Sequence, residues 1–175
     1  MSTSVPMNAL AQSDLCRGLS ETEIRTLHTL AEEARVADGQ VLFREGDAGD
    51  ALYLVIEGEL AVLKHDDAGS ERVLASVGPG GLLGEMTVIQ QDSRRSASVR
   101  AAGPVTLLKI PAPRFQALLA QDGVAALKVV HNVARVLAAR LTQVDAKVLA
   151  LMAQADGPRR AELGAFQEVL RNWAF

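Results

Sequence analysis

The chain has 175 residues, enough for one domain with a sizeable core plus some appended helix, and it is 49% apolar and 22% charged with a formal net charge of −3. That balance excludes a disordered chain and argues against the broad basic footprint of a nucleic-acid binder, although a local cluster such as Arg94, Arg95 and Arg100 can still hold one small anion. A single cysteine, Cys16, permits no intrachain disulfide and is read as a packing residue. The start of the chain lacks the basic and apolar stretches of a secretion signal, and no run is apolar over the length of a membrane span, so a cytoplasmic location is expected.

Residues 1–19 read as a loose N-terminal arm. Ser20-Glu-Thr-Glu23 is a capping box, opening a short helix that carries Ile24, Leu27 and Leu30. Short β-branched runs follow at 40–43, 51–56, 59–64, 72–77, 96–101 and 105–110, punctuated by glycines. They make 20–120 mainly β with flanking helices, a β-roll of the double-stranded β-helix, jelly-roll-like kind. The pattern turns helical after Pro113, first over 113–120 and then over a long helix within 121–155. There Leu127, Val130, Ala134, Leu137, Leu141, Val144, Val148 and Leu151 are spaced alternately by three and four. This 3.5-residue period is a heptad seam and predicts a parallel homodimer, with Arg140 and Asp145 placed to pair across it. In the tail, 156–175, Leu163, Phe166, Leu170 and Trp173 share one helical face.

The chemistry concentrates in 78–101. Gly84-Glu-Met-Thr-Val-Ile can form one helical turn after a glycine-rich bend, with its first N–H groups aimed at an anion. Arg95-Ser96-Ala97 follows, where a guanidinium can grip two phosphate oxygens and a hydroxyl and backbone N–H can add bonds. Glu85 suits a hydroxyl donor, for which a ribose 2′-OH is the natural choice. Arg94 falls on the opposite face and is expected to be solvated. His28, His65 and His131 are scattered without metal-ligand spacing, and there is no nucleophile elbow or phosphate-binding loop with its lysine. Neither a metal, a cofactor nor catalysis has candidate residues, so the chain reads as a binding protein.

Gly84-Glu85 followed by Arg95-Ser96-Ala97 resembles the phosphate-binding cassette of cyclic-nucleotide-binding domains, and 46–62 resembles their paired strands. The likeness covers roughly 18–150. It implies cAMP or cGMP as ligand, with Glu85 on the ribose, Arg95 and Ser96 on the phosphate, and Gly84 and Met86 contributing backbone contacts. It also implies Val62, Leu74 and Val77 as pocket wall and Arg140 near Glu85 or the ribose. Three positions depart from the family pattern: Leu83 replaces a frequent aromatic, Thr87 a smaller residue, and Val144 with Asp145 stands where base-reading hydroxyls are common. Asp145 can accept two bonds from guanine but one from adenine, or it can pair with Arg140 of a second chain.

The leading expectation is a stand-alone sensor that binds a cyclic nucleotide, dimerises through its long helix and acts on a protein effector. A second is the sensor part of a regulator of the cAMP receptor protein type. The 24 residues after Leu151 are too few for a winged helix-turn-helix, so direct DNA binding is not expected. A third is a degenerate β-roll that dimerises without ligand.

Overall fold

The computed structural model describes residues 7–65, 69–90, 93–121 and 123–154. Two units divide the chain, Met1–Val133 and Ala134–Phe175. The first opens with helix α1 (Met7–Ala11) and a 3-10 turn (Asp14–Cys16), so much of the expected loose arm is ordered, with Leu10 and Leu15 fully buried. Helix α2 (Glu21–Leu30) begins as expected: Ser20 Oγ accepts from the Glu23 N–H, and Glu23 accepts from the Ser20 N–H.

Among the described residues eight strands follow: β1 (Glu32–Val36), β2 (Val41–Phe43), β3 (Ala51–Glu57), β4 (Leu60–His65), β5 (Glu71–Val77), β6 (Leu82–Leu83), β7 (Ser98–Ala101) and β8 (Val105–Pro111). They form two antiparallel four-stranded sheets, ordered β1-β8-β3-β6 and β2-β7-β4-β5. The jelly-roll-like β-roll is the observed fold. Six of these strands were recognisable as runs, but β1 and β6 were not. Glu32, Glu33 and Arg35 give β1 no apolar run, and β6 is two leucines inside a glycine-rich bend. The run expected at 96–101 begins as β7 at Ser98 rather than at 96, because Arg95 and its neighbours pair with the 46–49 loop instead of with a sheet strand.

The core lies between the sheets. Tyr53, Val55, Leu83, Val105 and Leu107 from one sheet meet Leu60, Val99 and Ala101 from the other, and Phe43, Val62 and Val77 pack against this cluster. Strand β3 is buried on both faces: Ala51, Tyr53 and Val55 face the core, while Leu52 and Leu54 are buried on the side where α3 (Met86–Ile89) packs on β3 and α4 (Ala112–Ala120) on β8. A strand buried on both faces reads as a continuous apolar run, as Ala51-Leu-Tyr-Leu-Val-Ile does.

The long helix, α5, spans Val124–Gln154. Within the first unit its buried face is Ala125, Ala126, Val129, Asn132 and Val133. Asn132 Nδ2 donates to the Leu15 and Arg17 carbonyls at 3.0 and 2.8 Å, and Lys128 Nζ donates to both carboxylate oxygens of Glu23. In the second unit, the described residues 134–154 are helical. The expected tail face of Leu163, Phe166, Leu170 and Trp173 lies outside the described residues.

Candidate functional site

The backbone places Arg95 before its side chain does anything. Its N–H donates to Asp47 O and its carbonyl accepts from the Gly46 N–H, each at 2.9 Å, while the Gly49 N–H donates to Ser93 O. The segment 93–95 is thus stitched to the loop between β2 and β3, with Ala48 and Arg94 in an antiparallel bridge. Gly84 sits opposite with φ +73, and a Cβ there would overlap both Arg95 Nη1 and the Ala51 carbonyl. Only glycine lets the chain turn this tightly against a guanidinium.

The Arg95 side chain is 3% exposed. Nη2 donates to Asp50 Oδ1 at 2.6 Å, Nη1 to Ala51 O at 3.1 Å and, at the limit, to Thr87 Oγ1 at 3.5 Å. Among the described residues Arg95 Nε has no hydrogen-bond partner. A buried guanidinium N–H without an acceptor is destabilising unless an anion or other acceptor reaches it. The Arg95 Cζ also lies 4.2 Å from the centroid of the Phe43 ring and 5.5 Å from that of Tyr53.

Asp50 is shared. Its other oxygen accepts from Lys109 Nζ at 2.9 Å, making a row of Arg95, Asp50 and Lys109 with alternating sign. Burial works hardest on the Asp50 carboxyl, raising it, yet Lys109 and then Arg95 outweigh burial and hold it below the ordinary carboxylate value. Lys109 moves the other way, with burial opposing and the Asp50 bond prevailing to raise it.

Around this centre the expected residues are distributed unevenly. Gly84 and Glu85 are half-buried, Met86 is exposed on α3, Ala97 is half-buried and Ser96 exposed. The helical turn from Gly84 forms, but its Thr87 and Val88 N–H groups donate within it, to the Gly84 and Glu85 carbonyls. Leu83 is a core residue paired with Tyr53 across β3 and β6. Val62 and Val77 pack on the core, whereas Leu74 lies on edge strand β5, 57% exposed. Arg94 is exposed and donates to Gly46 O, and Arg100 pairs with Glu71, so the three arginines do not form one anion cluster. Arg140, Val144 and Asp145 lie on α5 in the second unit, Val144 being 52% exposed. Sequence reasoning missed Asp50, Phe43, Tyr53 and Lys109. Their one signal was position: Asp50 ends the Gly46-Asp-Ala-Gly-Asp50 loop that lies against the arginine.

The sequence profile of the cyclic nucleotide-binding domain matches residues 33–122, just over half of the chain. The chain belongs to this family. Among its cyclic nucleotide-binding relatives, the cyclic AMP receptor protein of Thermus thermophilus is 35% identical over 133 residues, 76% of this chain and 59% of the relative. A cyclic nucleotide-binding domain from Methylobacillus flagellatus superposes with a TM-score of 0.76 at 25% identity, covering 86% of this chain and 85% of that one. The regulatory domain of a Toxoplasma gondii protein kinase, solved with cAMP, gives 0.58 at 34% identity over 63% of this chain and 42% of that one. The chain therefore spans less than two thirds of the Thermus and Toxoplasma proteins. Among the described residues no helix is long and apolar enough to cross a membrane.

Proposed function

We propose that this cyclic nucleotide-binding domain is a ligand-responsive regulatory module that holds cAMP or cGMP and acts as a homodimer on a protein effector. The observation that carries the reading is Arg95: a buried guanidinium, lying against the Gly84 turn, with Nε unsatisfied among the described residues. A cyclic phosphate offers it a charged acceptor, and Glu85 and Ser96 flank the same turn and strand for the ribose and a further phosphate bond. The Thermus receptor is named for cyclic AMP and the Toxoplasma domain was solved with it, which supports the same ligand class here. Calorimetric titration with cAMP and cGMP side by side tests the reading. Arg95→Ala is expected to weaken binding by at least about 1.5–3 kcal/mol, the scale of a charge-assisted bond; unchanged binding in that variant defeats the assignment.

Homodimerisation is supported by the apolar seam of α5. Leu127, Leu141, Val144 and Leu151, all on the heptad stripe, are 61, 52, 52 and 60% exposed. A heptad-spaced apolar stripe that stands in solvent is a surface suited to the same stripe of another copy.

A second reading, a β-roll that dimerises without ligand, is favoured by the state of Arg95, whose Nη2 already holds Asp50 and whose Nη1 holds Ala51 O. Thermal unfolding separates the two. Nucleotide at 100 times its Kd adds about 2.7 kcal/mol to a binding domain and nothing to a degenerate one.

A further inference from the structure

Hydrogen bonds hold the Arg95 guanidinium in its plane, through Asp50 at Nη2 and the Ala51 carbonyl at Nη1. They leave its face to be held by something else. Phe43, at the end of β2, lies with its ring centroid 4.2 Å from Arg95 Cζ, and its ring is tilted 32° to that of Tyr53 at 6.0 Å. Strand β2 needs only an apolar side chain at this point to pack on the core; an aromatic ring adds a negative face turned to a cation. Stacking engages the guanidinium face and leaves its N–H edges, Nε included, to acceptors in the plane. The ring also offsets part of the desolvation of a charge that is 3% exposed.

We propose that Phe43 is a positioning residue of the phosphate site: it holds the Arg95 guanidinium by its face, so that the Nε edge is presented to the incoming phosphate. This rests on the nucleotide reading of the site. Phe43 touches the arginine and acts on the ligand only through it. Removal of the ring at constant apolarity lets the guanidinium tilt and weakens the phosphate bond, whereas another aromatic ring preserves it.

The test uses the full chain with Phe43→Leu, Phe43→Met and Phe43→Tyr, read in two ways. Calorimetry with cAMP is expected to show binding about tenfold weaker in the Leu and Met variants, the size of a desolvated cation–π contact, and within about twofold of wild type in the Tyr variant. The Arg95 Nε–Hε resonance of the nucleotide-free protein is expected to shift in the first two variants, as the ring current is lost, and to stay near its place in the third. Wild-type affinity in whichever of Phe43→Leu and Phe43→Met folds, or an unmoved Arg95 resonance there, overturns the positioning role. Absence of cAMP and cGMP binding by the wild-type chain instead overturns the nucleotide reading, while the resonance still reports whether ring and guanidinium stack.

Discussion

At the scale of single residues, burial decides how Cys16 behaves. Desolvation pushes its thiol up to about 11 from 9.0, against an opposing hydrogen bond from Ser13. The folded state therefore keeps the neutral thiol while the unfolded chain ionises it. Between pH 9 and 11 unfolding releases a proton, so stability falls as pH rises, by up to about 1.4 kcal/mol per unit. Urea unfolding from pH 7 to 10.5 should show that loss in wild type and a smaller one in Cys16→Ala. The same scale divides what could be read from the sequence. The meeting of Gly84 with Arg95 was legible because the spacing of a glycine turn from an arginine lies along the chain. Asp50, Phe43 and Lys109 were not, because their meeting with Arg95 is a product of pairing: Lys109 comes beside Asp50 only when β8 pairs with β3, with Tyr53 opposite Lys109.

At the scale of elements, the base of α5 is tied to the N-terminal segment through groups that pattern reading passes over. Asn132 is a buried polar residue on an apolar helix face, and its amide satisfies two backbone carbonyls that the turn after α1 leaves open. Asn132→Ala should destabilise the protein by about 2 kcal/mol, since both carbonyls lose a donor and water cannot readily replace it. Thermal unfolding of that variant beside Arg135→Ala, at an exposed position of the same helix off the seam, checks that the effect is local to the latch. The capping box of α2 was plain in Ser20 and Glu23 because both halves of the motif lie three residues apart. That Glu23 also receives Lys128 was not, since 105 residues separate them. Strands with β-branched runs were legible for the same local reason, and β1, with three charged residues in five, was hidden by it.

At the scale of the whole molecule, Leu127, Leu141, Val144 and Leu151 of the α5 seam stand exposed among the described residues. A glutamate at Leu141 puts a charge in the centre of the proposed helix pair and leaves the chain's own core untouched. Sedimentation equilibrium should find wild type dimeric and Leu141→Glu monomeric, with both equally folded by circular dichroism. The heptad period made this surface readable, because periodicity is local.

The row of Arg95, Asp50 and Lys109 has a bearing on how a ligand would arrive. Two cations and one anion sum to a single positive charge, the exact counterpart of the one negative charge on a cyclic phosphodiester. Capture would complete a neutral, alternating chain whose arginine end is sealed from solvent ions. Bulk salt screens exposed pairs far more than sealed ones, so such a site would keep its grip across the swings in ionic strength that loosen surface-bound anions.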